Sequence, residues 1–212
     1  MNEMNQRMYQ CGVLPVINIK KVEWALPLSE ILLNCGFPAL EVTLRSESAL
    51  EAIKTIRAAH PDMILAAGTI FYPEQADAAI AAGADFLVTP GYEATLIDYC
   101  AEKGYTIVPG CASPSEIQTT YVKGITVQKF FPAELSGGVA ALKLFSGAFR
   151  DVKFVPTGGI SLDNLGSYLK ESCVLACGGS YMAPAGLLEK EDWDGIRALC
   201  EKCAAISKEA RG

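Results

Sequence analysis

The stretch ITVQKFFP, residues 125–132, shows the pattern on which the predicted fold depends. It is a short run of apolar, β-branched and aromatic residues that ends at a proline, which is typical of a buried β-strand. Other short apolar runs occur along the whole chain, and amphipathic segments of helical length separate them. The predicted strands cover residues 13–19, 39–44, 64–69, 86–89, 106–109, 125–131, 153–157 and 174–177.

The segments between these strands predict helices near residues 22–35, 47–59, 73–82, 93–103, 113–122, 137–147 and 161–171, and a last helix near 191–209. A polar helix near residues 2–10 precedes the first strand. Gly36, Gly83 and Gly104 lie just past predicted helix ends, where a left-handed residue commonly closes a helix. Pro73 and Pro114 lie in predicted first turns, which tolerate proline.

This uninterrupted succession of strand–helix units predicts an α/β fold, a single-domain (β/α)8 TIM barrel over residues 1–212 with a short N-terminal helix. An open, doubly wound sheet would also alternate strands with helices. Such a sheet usually carries a glycine-rich nucleotide-binding loop after its first strand. Here Lys20 and Lys21 follow the first strand without any glycine, so the barrel is favoured.

Composition narrows the partners that we expect. Half of the 212 residues are apolar, so the chain can bury a sizeable core. The formal net charge of −6 argues against nucleic acid or an anionic membrane surface as a partner, since both bind basic surfaces. No run reaches the length of a membrane span. The first ten residues lack the apolar region of a signal peptide, and we therefore expect a cytoplasmic protein.

The cysteines and the histidine give no sign of a metal or redox site. The eight cysteines are irregularly spaced, and the pair Cys200 and Cys203 has no second pair to complete a zinc site. The single histidine, His60, precedes Pro61 in a predicted surface turn, which does not suit a nucleophile's base. We expect neither a metal nor a cofactor.

Lys129 is the unusual residue of the opening stretch. A charged amine in a buried strand is costly unless it is paired, because it loses its hydration. Burial also favours the neutral amine, which is a nucleophile. Two hypotheses follow: a structural ion pair, or a lysine that forms a Schiff base with a carbonyl substrate. Glu41, on the second predicted strand, is the candidate partner and proton carrier.

Polar residues collect at the ends of the predicted strands, where the active site of such a barrel lies. The second strand ends LEVTLR, and its period of two places Glu41, Thr43 and Arg45 on one face. The seventh and eighth strands run into the glycine-rich turns PTGG, residues 156–159, and GGS, residues 178–180. Backbone N–H groups of such turns suit a phosphate group, with Thr157 and Ser180 as added hydroxyl donors.

Several motifs together resemble the class I 2-keto-3-deoxy-6-phosphogluconate (KDPG) / 4-hydroxy-2-oxoglutarate (KHG) aldolase family. They are LEVTLR at 40–45, AGT at 67–69, TPG at 89–91, KFFPAE at 129–134, PTGGI at 156–160 and GGS at 178–180. The resemblance extends from about Val13 to Pro184, in the same order. It implies a lyase of carbohydrate metabolism, in the Entner–Doudoroff pathway, that assembles as a homotrimer and needs no metal.

The resemblance also implies roles for single residues. Lys129 is implied as the Schiff-base lysine and Glu41 as the general acid/base. Arg45 and Thr69 would bind the pyruvate carboxylate, and Pro90 and Phe131 would line the pocket. The substrate's phosphate would lie on Gly158, Gly159, Gly179 and Ser180, with Thr157 close by. The implied partner is a small, phosphorylated 2-keto acid.

Two positions depart from the family pattern, and other functions stay open. Asn18 stands where many relatives carry an arginine, and Ser113 stands where a threonine is common, so the preferred substrate is undecided. It could be KDPG, KHG or the related phosphogalactonate compound. The alternatives to an aldolase are another phosphate-binding barrel enzyme, such as an isomerase, an epimerase or a thiamine-phosphate synthase, and a non-catalytic barrel that binds a phosphometabolite.

Overall fold

The computed structural model describes residues 2–212 and shows an α/β fold in which short strands alternate with helices. The strands are β1 (Val13–Ile17), β2 (Ala39–Thr43), β3 (Ile64–Gly68), β4 (Phe86–Val88), β5 (Ile107–Val108), β6 (Gly110–Cys111), β7 (Val127–Phe130), β8 (Lys153–Pro156) and β9 (Cys177–Gly179). Met1, the first residue of the predicted domain, lies outside the described residues.

Helices precede, separate and follow the strands. They are α1 (Glu3–Cys11), α2 (Ala25–Asn34), α3 (Ala49–Ala59), α4 (Pro73–Ala81), α5 (Ala94–Lys103), α6 (Pro114–Val122), α7 (Gly138–Ala148), α8 (Leu162–Leu169), α9 (Ala185–Glu189) and α10 (Trp193–Arg211), with a 3₁₀ turn at Val22–Trp24. No helix within residues 2–212 has both the length and the apolar character needed to cross a membrane.

All strand pairs are parallel, as the alternation with helices predicts. Six strands pair in the order β5-β4-β3-β2-β1-β9, and three pair in the order β6-β7-β8. The first and last strands of the chain are therefore neighbours, and the parallel sheet curls. Two single bridges, Phe154 with Val174 and Thr157 with Gly178, connect the region of β8 to that of β9. The predicted α/β class is confirmed.

Two predicted strands differ from those observed. The strand predicted at residues 106–109 is divided into β5 and β6 by Pro109, which has no N–H to donate to a ladder. The strand predicted at 174–177 lies later, at Cys177–Gly179, because that segment pairs with β1 from Val13 to Pro15. Glycine has a low preference for strands, so the sequence pattern favoured the apolar residues before it. The five-residue helix α9 is too short to show a helical period and was not predicted.

The two faces of the strands separate the core from the site. On β2, Leu40 and Val42 are fully buried against the surrounding helices. Glu41 and Thr43 alternate with them and face the inner side of the sheet. This alternation follows from the strand period of two.

The predicted helix ends are confirmed. Gly36, Gly83 and Gly104 have φ angles of 84°, 105° and 71°, the left-handed region that glycine adopts without a steric penalty. Pro73 and Pro114 are the first residues of α4 and α6. The three glycines lie in the loops that precede β2, β4 and β5.

Candidate active site

Lys129 lies on β7 and forms an ion pair with Glu41 across the inside of the sheet. The Nζ atom of Lys129 is 3.2 Å from Oε1 of Glu41 and 3.5 Å from Oε2. The side chains are only 8% and 1% exposed, respectively. A buried pair of this kind also occurs as a purely structural feature. The residues around it therefore decide what it can do.

Gly68, the last residue of β3, makes room for the carboxylate of Glu41. Glu41 pairs with Ala66 in the ladder between β2 and β3, so its side chain lies over the end of β3. A Cβ atom at position 68 would lie 2.1 Å from Oε1 of Glu41. Only glycine leaves this space, which explains the glycine in the AGT motif.

Phe131 and Pro90 lie beside the lysine. The centre of the Phe131 ring is 5.6 Å from Nζ of Lys129. Gly110 pairs with Lys129 in the ladder between β6 and β7, and a Cβ atom there would lie 2.4 Å from the carbonyl oxygen of Pro90. The hydroxyl of Thr89 donates to the carbonyl of Gly91 at 2.7 Å and accepts from the N–H of Gly110 at 3.2 Å. The TPG turn is thus fixed against the strand that neighbours Lys129.

Arg45 and Thr69 follow β2 and β3 and contact each other. Nε of Arg45 lies 3.3 Å from Oγ1 of Thr69, and Arg45 forms no ion pair within residues 2–212. Thr69 has a φ angle of 64°, a conformation that is rare for a β-branched residue and costs about 1–3 kcal/mol. A strained threonine next to an unpaired guanidinium is consistent with a site for a carboxylate.

A cavity of about 430 Å³ lies against the two glycine-rich turns. Its wall contains the predicted residues Arg45, Thr157, Gly158, Gly159, Gly179 and Ser180. Lys129, Glu41, Thr69, Pro90 and Phe131 are not part of this wall. Two contacts connect the cavity wall to the residues around Lys129. Arg45 of the wall contacts Thr69, and Gly158 of the wall lies next to Phe131, whose ring would be 3.3 Å from a Cβ atom on Gly158.

The turns present free backbone donors to the cavity. The N–H groups of Gly159, Ile160 and Ser180 donate no hydrogen bond within residues 2–212. Gly158 and Gly159 have φ angles of 95° and 83°, which glycine adopts without a steric penalty. Free backbone N–H groups bind anions well. The hydroxyl of Thr157 donates to the carbonyl of Val155 at 3.3 Å, and its role toward a phosphate stays a prediction.

The chain after Lys129 holds the first of these turns in place. The N–H of Ala133 donates to the carbonyl of Thr157 at 2.8 Å, and the N–H of Glu134 donates to that of Gly158 at 3.1 Å. Glu134 also accepts a hydrogen bond from the hydroxyl of Tyr168. Burial and this bond raise the pKa of Tyr168, so it stays protonated and can donate. The strand that carries Lys129 and the turn beside the cavity therefore form one unit.

Three further polar residues lie in the cavity wall: Asn18, Lys20 and Glu189. Oδ1 of Asn18 is buried without a hydrogen-bond partner among the described residues. Nζ of Lys20 lies 2.7 Å from Oε1 of Glu189. Glu189 belongs to α9, which no sequence pattern indicated. The sequence singled out Asn18 as a departure within the site, whereas the structure adds Lys20 and Glu189 to the cavity wall.

The cysteines do not form a reactive or metal-binding site in residues 2–212. All eight are free, and no group of three or more metal-ligating side chains occurs there. Burial raises the pKa of Cys111 to about 11 and that of Cys200 to about 12. Both are therefore thiols at neutral pH, whereas the thiolate is the reactive form.

Known proteins resemble this chain over nearly its whole length. The family model for KDPG and KHG aldolase matches residues 4–199. The 2-dehydro-3-deoxy-phosphogluconate aldolase of Treponema pallidum (strain Nichols) is 44% identical over 194 residues, and the KHG/KDPG aldolase of Escherichia coli (strain K12) is 41% identical over 196 residues. Both matches cover 92% of this chain and 92% of the relative.

A solved structure of a KDPG aldolase is also similar to this chain. It is the KDPG aldolase of Legionella pneumophila, captured with pyruvate as a covalent carbinolamine intermediate. It is 38% identical with a TM-score of 0.89, and the match covers 94% of this chain and 97% of that one. By the extent of the family match and these identities, the chain belongs to the KDPG and KHG aldolase family.

Proposed function

We propose that this protein is a Schiff-base aldolase that cleaves KDPG to pyruvate and glyceraldehyde 3-phosphate, and KHG to pyruvate and glyoxylate. The observation that carries the proposal is the buried pair of Lys129 and Glu41, 3.2 Å apart, connected to a cavity lined by free backbone N–H groups. A structural ion pair would need no such cavity beside it. The related proteins named for KDPG and KHG support the same substrates.

The first half of the reaction forms the covalent intermediate. Glu41 accepts a proton from the ammonium of Lys129, and the neutral Nζ attacks the C2 ketone of the substrate. The resulting carbinolamine takes a proton from Glu41, loses water and becomes an iminium ion. Arg45 binds the substrate carboxylate beside Thr69, which orients C2 toward the lysine.

The second half breaks the carbon–carbon bond. The carboxylate of Glu41 takes the proton of the C4 hydroxyl, and the electrons of the C3–C4 bond move into the iminium to give an enamine. The aldehyde leaves. Protonation of C3 and addition of water then release pyruvate and regenerate Lys129. Pro90 and Phe131 supply the apolar surface next to the reacting carbon atoms.

The far end of a phosphorylated substrate lies on the glycine-rich turns. Free N–H groups of Gly159 and Ser180, together with the hydroxyl of Ser180, can donate to phosphate oxygens. Gly158 and Gly179 leave the backbone open to a close approach. Thr157 lies next to these donors in the cavity wall.

Borohydride trapping tests the proposal. Pyruvate plus borohydride should reduce the iminium and leave a stable adduct on Lys129, detected by mass spectrometry of the peptide that contains residue 129. The Lys129→Met variant should form no adduct and show no aldolase activity. If the chain were instead another type of phosphate-binding barrel enzyme, or a non-catalytic barrel, no adduct would form. An adduct on another lysine would reject the assignment of Lys129.

We further propose that the two sheets form one closed (β/α)8 barrel and that residues 1–212 are a single domain. Only Pro109 separates β5 from β6, and two bridges join the region of β8 to that of β9, which supports closure of the sheet. A crystal structure in which β8 and β9 remained apart would contradict this. A single cooperative unfolding transition is expected of one domain.

We propose a cytoplasmic homotrimer as its form in solution. Leu135 and Leu144 are 90% and 76% exposed in one chain, which supports association through apolar contacts. Light scattering on the eluting protein should give three times the 22.6 kDa chain mass. A single-chain mass would reject the trimer.

A further inference from the structure

One ion pair lines the cavity, and a second pair of similar exposure lies on α3, outside the cavity wall. Lys20 pairs with Glu189 at 2.7 Å, and both residues belong to the cavity wall. Lys54 pairs with Glu51 at 3.3 Å, and neither residue belongs to that wall. The four side chains are similarly exposed, between 52% and 60%. The second pair is therefore a control for the first.

The Lys20–Glu189 pair places opposite charges where an anion would bind. The wall already holds the free N–H groups of Gly159 and Ser180, which favour a phosphate. Lys20 adds a cation to this set, but Glu189 neutralises it. The carboxylate of Glu189 also repels an incoming dianion from the same wall.

A phosphate group can displace the carboxylate. Exposed ion pairs contribute little to stability, because water screens them and two long side chains lose freedom. A phosphate monoester carries close to two negative charges and three acceptor oxygens, and its hydrogen bonds with an ammonium are strong. A carboxylate carries one charge. The exchange of Glu189 for phosphate on Lys20 is thus favourable.

We propose that Lys20 is a phosphate-recognition residue of this cavity and that Glu189 competes with the ligand for it, so that the pair selects phosphorylated over unphosphorylated substrates. The inference rests on the proposed phosphate site and extends it to two residues. KHG carries no phosphate group, so its binding depends much less on Lys20.

Direct binding of inorganic phosphate tests the pair without any need for catalysis. Isothermal titration in a phosphate-free buffer should show that Lys20→Met weakens phosphate binding about tenfold, which corresponds to about 1.4 kcal/mol. Glu189→Gln should tighten it about threefold. Lys54→Met and Glu51→Gln should stay within about twofold of the unchanged protein. If Lys20→Met behaves like Lys54→Met, or if Glu189→Gln weakens binding as Lys20→Met does, the proposal is wrong.

Kinetics give the second measurement. In Lys20→Met, KM should rise at least about five times more for KDPG than for KHG, with kcat for KDPG within about twofold. An equal rise for both substrates would show a structural effect and reject the selectivity.

The borohydride adduct distinguishes failure of this inference from failure of the proposed aldolase function. If pyruvate forms the adduct but phosphate binding does not depend on Lys20, this inference alone is rejected. If phosphate binding depends on Lys20 but no adduct forms, the aldolase function alone is rejected.

Discussion

The carboxylate of Glu41 fills the space that a side chain at Gly68 would need: a Cβ atom on Gly68 would lie 2.1 Å from Oε1 of Glu41. The Gly68→Ala substitution should therefore push the carboxylate away from Lys129. We expect kcat to fall by about 10²-fold, since small displacements of a catalytic group cost about that much. Steady-state kinetics on KDPG would measure it.

Gly147 provides the control for that change. It lies within α7, and a Cβ atom there meets nothing within 4 Å. Gly147→Ala should leave kcat unaffected and raise the free energy of unfolding by up to about 1 kcal/mol, because alanine favours a helix. Full activity in Gly68→Ala would show that the position of Glu41 is not important for the reaction.

Glu41→Gln keeps the size of the side chain but removes its ability to take a proton. We expect the variant to bind pyruvate and to turn over KDPG about 10²–10⁴ times more slowly, the usual contribution of a general acid/base. Single-turnover kinetics and borohydride trapping would separate binding from cleavage. Glu102→Gln, an exposed change on α5, is the control. Unchanged turnover would remove Glu41 from the proton path.

Gly159 and Gly36 have nearly the same φ angle, 83° and 84°, but different surroundings. A Cβ atom on Gly159 would lie 2.5 Å from Cγ of Glu134, whereas one on Gly36 would meet nothing within 4 Å. Gly36→Ala should cost about 1 kcal/mol of stability through the backbone alone. Gly159→Ala should cost more and should raise KM for KDPG, because the phosphate turn must shift.

Measurements of urea unfolding and of KM on both variants would test this difference. If Gly159→Ala changed stability and KM no more than Gly36→Ala does, the contact between Gly159 and Glu134 would not shape the phosphate site.

The acid dependence of stability should involve Asp77. Hydrogen bonds from the hydroxyls of Tyr99 and Tyr105 hold the pKa of Asp77 below its ordinary value. A lowered folded-state pKa gives stability that is complete above the unfolded pKa, about 3.9, and is lost as the pH falls through the folded one. The difference in unfolding free energy between the unchanged protein and Asp77→Asn should therefore shrink below about pH 4.

Urea titrations at several pH values would show the effect of Asp77. Glu102→Gln, which alters an exposed carboxylate without a hydrogen bond in the described residues, controls for the loss of one charge. A difference for Asp77→Asn that stayed constant from pH 6 to pH 3 would contradict the assignment.

Much of the fold could be predicted from local pattern. The apolar period of the strands, the glycines after α2, α4 and α5, and the prolines that begin α4 and α6 are all local features, and the structure confirms them. The errors lie where pairing across the chain overrides local preference. Pro109 divides a strand because it cannot donate to its neighbour, and β9 forms on glycines because β1 pairs with them.

The features of the candidate site also separate into those set by local sequence and those set by long-range contacts. The sequence by itself determined that Lys129 is a charge in an apolar strand and that two glycine-rich turns end neighbouring strands, because these features depend only on residues close in the chain. Only the tertiary structure decided that Lys129 contacts Glu41, 88 residues away, and that Lys20 contacts Glu189, 169 residues away. Such contacts depend on strand pairing and on how far the parallel sheet curls, and no local pattern in the sequence specifies that geometry.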